Sequence, residues 1–111
     1  MNDLKSDFNS ATTEARKLSI TLQYFDQDID ADCQKIFTEY LRRRFRPAIS
    51  QLIRTGDYIR IKKICKFAPI TETALNDFIS EAARIPNGEL VSYFINLKNN
   101  LFGFKDNNFT I

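Results

Sequence analysis

Apolar residues in this chain recur at intervals of three and four, stretch after stretch, with glycine or proline standing between the stretches. Leu75, Phe78, Ile79, Ala82 and Ala83 are the clearest case, at offsets of 3, 4, 7 and 8. A helix turns once in about 3.6 residues, so this spacing lines one helical face. The same spacing groups Cys33, Ile36, Phe37, Tyr40 and Leu41, then Ala48, Ile49, Leu52 and Ile53, then Tyr58, Ile61, Ile64 and Cys65. A last stripe joins Leu90, Phe94, Leu97 and Leu101, flanked by Val91, Tyr93 and Ile95. Each stripe needs another to pack against. The 111 residues amount to one domain. The expectation is an all-α fold of antiparallel helical hairpins joined by short turns.

The punctuation between stripes sharpens this. Asp28 or Asp30 is placed to cap the helix of Cys33–Leu41, and the acidic turn before it suits the positive end of the helix dipole. Pro47 disfavours helical geometry at Arg46, so a break is expected near Phe45, with the next helix starting at Pro47. Thr55-Gly56-Asp57 ends that helix, with Gly56 in the left-handed conformation, and Asp57 opens a helix over about 57–67. Phe67-Ala68-Pro69-Ile70 is a connector. Thr71 or Thr73 caps a helix running to Ile85, and Pro86-Asn87-Gly88 breaks it. Asn87 caps the final helix, which Gly103 ends, and Leu101-Phe102-Gly103-Phe104 reads as core closure.

The beginning of the chain is less regular. Residues 1–10 are polar and expected to be flexible, leaving 11–111 as the folded domain. Ala11, Ala15, Leu18 and Leu22 fit a helix, whereas Ile20, Leu22 and Tyr24 alternate with polar residues as in a strand. Helix over about 11–24 is preferred, because a lone strand has nothing to pair with.

Several chemistries are excluded by composition. The sequence has no histidine, so no Ser-His-Asp triad, Cys-His dyad or His-ligated zinc site is available. Cys33 and Cys65 are far apart and form no C-x-x-C pair, which makes buried reduced thiols the expected state. The three glycines are scattered, without the spacing of a phosphate-cradling loop. Asp26, Asp28, Asp30 and Asp32 alternate like the start of a calcium loop, and the twelfth position from Asp28 is Glu39. Cys33 occupies the sixth position, where glycine is required, so an acidic helix cap is the preferred reading. No enzyme activity, cofactor or metal is expected. No run approaches the roughly 18 apolar residues of a membrane span. The start, Met1 to Asp7, lacks a basic stretch followed by an apolar one, so the expected compartment is the cytoplasm.

A net charge of +2 conceals a strong segregation. Residues 1–41 carry four basic and eight acidic side chains, residues 42–66 nine basic and one acidic, and residues 67–111 three basic and five acidic. Such a basic middle segment points to an anionic partner, unless the acidic first segment neutralises it within the molecule. The candidate contact residues are Arg43, Arg46, Arg54, Tyr58, Arg60, Lys62 and Lys63. An acidic protein surface is the preferred partner. Nucleic acid is the alternative, with Tyr40, Tyr58 or Phe67 stacking on bases. Against it, consecutive helical arginines point about 100° apart, and no helix-turn-helix, RRM or basic-zipper signature is present.

Two stretches repeat. Pro47 to Tyr58 and Phe78 to Leu90 both carry an apolar pair and an arginine into a glycine turn, then an acid, then an apolar residue. Gly56 and Gly88 are 32 residues apart, close to the ankyrin period of about 33. Ala82-Ala83-Arg84 followed by Asn87-Gly88-Glu89-Leu90-Val91 matches the ankyrin Ala-Ala-Arg-Asn-Gly consensus with Ile85 and Pro86 inserted. Residues 46–101 thus resemble two degenerate ankyrin repeats, in particular the closing helical pairs of ankyrin-like proteins from bacteria. Pro47-Ala48-Ile49-Ser50 and Asp77-Phe78-Ile79-Ser80 stand where the Thr-Pro-Leu-His signature would be, and Phe67–Thr73 is too short and apolar for a β-hairpin finger. The resemblance implies a protein-binding scaffold without catalysis. Stacked repeats need about three units to bury a continuous core, so residues 11–45 are expected to supply a helical cap. A homodimer or a longer chain would serve the same need.

Overall fold

The computed structural model describes residues 4–86 and 88–103. Among them the fold is all-helical, with seven helices and no strand. The helices are α1 (Leu4–Ser10), α2 (Glu14–Tyr24), α3 (Ala31–Arg43), α4 (Phe45–Thr55), α5 (Tyr58–Cys65), α6 (Glu72–Ala83) and α7 (Gly88–Leu101). No helix among the described residues is long and apolar enough to cross a membrane.

Helix ends follow the local chemistry. Asp30 caps α3 by accepting from the Cys33 N–H at 2.8 Å, and Thr71 caps α6 by accepting from Ala74 N–H at 3.1 Å. Thr13 does the same for α2 through the Arg16 N–H at 3.1 Å. Gly56 takes the left-handed conformation at φ 74°. Its N–H donates to Ile53 O and the Asp57 N–H to Leu52 O, the paired bonds of a Schellman motif. Asn87 and the tail from Phe104 lie outside the described residues.

Three expectations change. Leu4–Ser10, expected to belong to a flexible terminus, form α1, whose Phe8 is buried. That ring packs edge-on against Phe37 and Tyr40, at centroid distances of 5.6 and 5.2 Å. Helix α4 starts at Phe45, two residues before Pro47. Proline's missing N–H falls in the first turn, where no helical acceptor exists, so the proline is tolerated there. Leu101 and Ala83 face solvent, Leu101 being 51% exposed. Leu101 therefore does not close the core, while Ala74 fills a buried place on α6.

The ambiguous stretch is helical. Thr21 is fully buried in α2, and its hydroxyl donates to Lys17 O at 2.8 Å. That bond satisfies a polar group inside the core. Helices α2 and α3 run antiparallel. Gln34 near the start of α3 donates to Phe25 O beyond the end of α2, and Tyr40 near the end of α3 reaches Glu14 at the start of α2. Helices α6 and α7 reverse after the turn at 84–86, with Phe78 and Phe94 rings 5.5 Å apart. Helices α4 and α5 pack together after the two-residue turn at Gly56.

Side-chain pairs also fix the direction of α4 against α6. Arg46 bonds Asp77 and Ser50 bonds Glu81. Stepping forward one turn on α4 steps forward one turn on α6, so the two helices run parallel. One core runs the length of the molecule and includes Ile49, Leu52, Leu75 and Phe78, with Leu97 packed against it. The shape is a rod, 60 × 28 × 23 Å. Its radius of gyration is 15.8 Å, against about 13 Å for an isometric domain of this length.

Candidate functional site

The basic segment spans the end of α3, all of α4 and all of α5. Helical geometry divides its cations into two sets. Arg46 pairs with Asp77 at 3.3 Å. Arg60 donates to Asp57 at 2.9 Å and lies 3.4 Å from Asp26. Lys63 reaches the same Asp26 at 3.3 Å. Arg44 pairs with Glu14 at 3.4 Å. These contacts tie the basic middle to the acidic first segment and to α6.

The Asp26 cluster is the most enclosed of these. Asp26 follows the end of α2, and its side chain is only 12% exposed. Asp57 caps α5 by accepting from the Arg60 N–H at 3.1 Å while its other oxygen holds the guanidinium. This bond, with Asp26 alongside, holds the Arg60 pKa above its ordinary value against the opposing effect of burial. The cluster joins α5 to the turn between α2 and α3.

The second set faces outward. Ile59, Lys62 and Lys63 on α5, and Lys66 at its C-cap, stand at offsets of 3, 4 and 7, and all four are exposed. Ile59 is 67% exposed. Lys62 lies 5.0 Å over the Tyr58 ring, and Tyr58 packs edge-on against Tyr93 of α7 at 5.5 Å. Arg54 is exposed near the end of α4. Arg43 is exposed on the last turn of α3 and lines a separate cavity with Phe8, Glu14, Lys17, Tyr40 and Arg44. The seven predicted residues are therefore not one surface. Lys62 stands on the outer stripe of α5 without a carboxylate partner among the described residues, Lys63 beside it is engaged by Asp26, and Arg46 and Arg60 are spent on internal pairs.

Comparison with known proteins adds no relative: no family model, no curated protein and no solved structure matches the chain.

Sequence reasoning missed Ile59, because the search for buried stripes passed over an apolar residue on the wrong face. A helical projection from Tyr58 would have placed Ile59 among the lysines. In the sequence Asp26 is one of four alternating aspartates in an acidic turn; its role depends on a contact 37 residues away. Cys33 is buried, and no disulfide joins it to Cys65. Burial pushes the Cys65 thiol up to about 11, against a hydrogen bond with Tyr93. A thiol so shifted stays protonated at neutral pH and is a poor nucleophile.

Proposed function

We propose that the chain is a non-enzymatic helical-hairpin module that holds an acidic protein, with the outer face of α5 as its contact. The carrying observation is the exposed stripe of Ile59, Lys62, Lys63 and Lys66, which combines one large apolar side chain with Lys62 and Lys66, two cations without a carboxylate partner among the described residues, while Lys63 between them is held by Asp26. A partner with a complementary acidic and apolar face would cover it, the cations steering and the isoleucine anchoring.

The scaffold reading draws support from the order of the helices. Pairs α2/α3, α4/α5 and α6/α7 follow one another, and the α4–α6 contacts carry an offset of 31, close to the 32-residue glycine spacing. An ankyrin-like stack of hairpins, opened by α1 and the α2/α3 pair as a cap, accounts for both. The carboxylates Glu14, Asp26, Asp57, Asp77 and Glu81 are engaged in ion pairs and hydrogen bonds within the stack.

Nucleic-acid binding is the second reading. It is favoured by Arg42, Arg43, Arg54 and Lys66, none of which has a carboxylate partner among the described residues. Two of the three rings named for stacking are otherwise occupied: Tyr40 is 5% exposed and Tyr58 lies between Tyr93 and Lys62, while Phe67 is partly buried against the core. A photo-crosslinking residue at position 59 separates the two. The expected product in cells is a protein adduct that disappears when Lys62 and Lys66 are both changed to Glu. A nucleic-acid adduct, or a protein adduct indifferent to those charge reversals, overturns the reading.

A further inference from the structure

We propose that the cavity between α1, α2 and the end of α3 is a binding site for a small organic phosphomonoester. It is a cleft open to solvent on one side, lined by Phe8, Glu14, Lys17, Tyr40, Arg43 and Arg44, with a volume of about 470 Å³. That is within the range of roughly 300–1,000 Å³ found for small-molecule sites. No residue of α5 lines it, so the inference does not depend on the outer stripe of that helix.

Charge argues for the ligand class. Lys17, Arg43 and Arg44 face one carboxylate, Glu14, leaving an excess of two positive charges. A phosphomonoester carries about −1.5 to −2 at pH 7. Arg43 has no carboxylate partner among the described residues. Its planar fork suits phosphate oxygens, and Lys17 would add a second cation.

Glu14 shows what the cavity recognises. One carboxylate oxygen accepts from the Tyr40 hydroxyl at 3.1 Å, and the other pairs with Arg44 at 3.4 Å. The molecule's own anion therefore holds the donors that a ligand anion would use. Both Glu14 and Arg44 are about half exposed, at 54% and 51%, so Glu14 can swing into solvent and release them. Burial, reinforced by the bond to Glu14, pushes the Tyr40 phenol up to about 12; it remains a donor at neutral pH. The apolar side of the cavity is the Phe8 ring. Phe37 and Tyr40 hold it edge-on, and the Lys17 ammonium lies 5.3 Å from its centroid. Phe8 is 7% exposed, so the organic part of the ligand would reach this wall only as Lys17 swings off the ring to meet the phosphate.

Glu14 thus acts as a built-in competitor, which gives the test an unusual sign. The full chain is titrated with phenyl phosphate, inorganic phosphate and benzyl alcohol in about 50 mM salt, following backbone amide shifts. Phenyl phosphate is expected to saturate with shifts at Phe8, Lys17 and Arg43, inorganic phosphate to bind the same amides more weakly, and benzyl alcohol to leave them unmoved. Arg43→Glu and Lys17→Glu should each weaken binding about tenfold or more, and Tyr40→Phe about threefold. Glu14→Gln should tighten it roughly three- to tenfold, because a competing charge is lost while the side-chain shape remains. Unchanged melting temperatures of the variants establish that the fold is intact. The proposal is overturned if phenyl phosphate does not saturate in the millimolar range, or if Glu14→Gln weakens binding. Shifts spread equally over Lys62 and Lys66 would reveal unspecific anion attraction and overturn it too. A phosphoserine peptide binding more tightly than phenyl phosphate would overturn the small-molecule assignment.

Discussion

Two seams hold the rod together, and they are built from opposite materials. Between α4 and α6, Ala48, Ile49, Ala74, Leu75, Phe78 and Ala82 are 1% exposed or less. Its polar contacts are Arg46 with Asp77, which remain 47% and 62% exposed, and Ser50 with the half-buried Glu81. Between α5 and the turn after α2, the contact is Asp26 against Arg60 and Lys63. There the buried atoms Asp26 Oδ1 and Arg60 Nε have no hydrogen-bond partner among the described residues, although the ions themselves are close. The apolar seam is non-directional and gains free energy with area. The charged seam gains little net energy, because desolvation offsets the attraction. It is directional, however, and we read it as fixing where the α2/α3 pair sits along α5.

The largest test of this contrast is Phe78→Ala. It removes a ring that touches Phe45 and Phe94 and should cost about 3–5 kcal/mol, measured by denaturant unfolding. A loss below about 1 kcal/mol would mean that this seam is not the main support. Asp26→Ala comes next. It leaves Arg60 partly buried with Asp57 as its one carboxylate among the described residues, and should cost about 1–3 kcal/mol. Replacing Arg60 by Met as well should recover part of that loss, and a strictly additive double mutant would break the reading of the seam as one unit.

Alkaline pH probes a third contact, α5 against α7. The Cys65 pKa is raised from 9.0 to about 11, and burial, with Cys65 beside it, raises Tyr93 too. A raised acid pKa means that the folded state keeps its proton longer than the unfolded state. The Cys65 contribution is therefore complete below about pH 9 and is lost as pH rises through about 11. The melting temperature should fall across that window, and Cys65→Val should make the fall shallower. An identical slope in the variant would remove Cys65 from the account. The smallest effect is expected at the rim of the apolar seam. Arg46→Ala breaks an exposed pair and should cost less than about 1 kcal/mol, with a loss that shrinks further in molar salt.

Much of the fold was legible because helical periodicity is a local property. Ala48, Ile49, Leu52 and Ile53 were picked as an inner face and are all buried. Gly56, Asp30 and Thr71 were read from rules that operate over a few residues and occupy those roles. Leu101 failed because a stripe can extend beyond the neighbour that covers it. Helix α1 was missed because seven residues with a single buried aromatic give periodicity nothing to act on. The site was less legible than the fold. A count of charges along 42–66 is blind to direction, and Arg60 and Lys62 differ by two residues, which turns them about 200° apart on a helix.

The sequence by itself determined which segments are helical, where they stop and which face of each is apolar. Those properties arise from contacts within one or two turns, where spacing along the chain is spacing in space. Which cations are bound internally and which are left for a partner was decided only by tertiary structure. Asp26 meets Arg60 and Lys63, and Asp77 meets Arg46, because packing of the apolar faces brings distant helices side by side. Charge becomes specific at that stage, since its energy depends on distance and burial rather than on order in the chain.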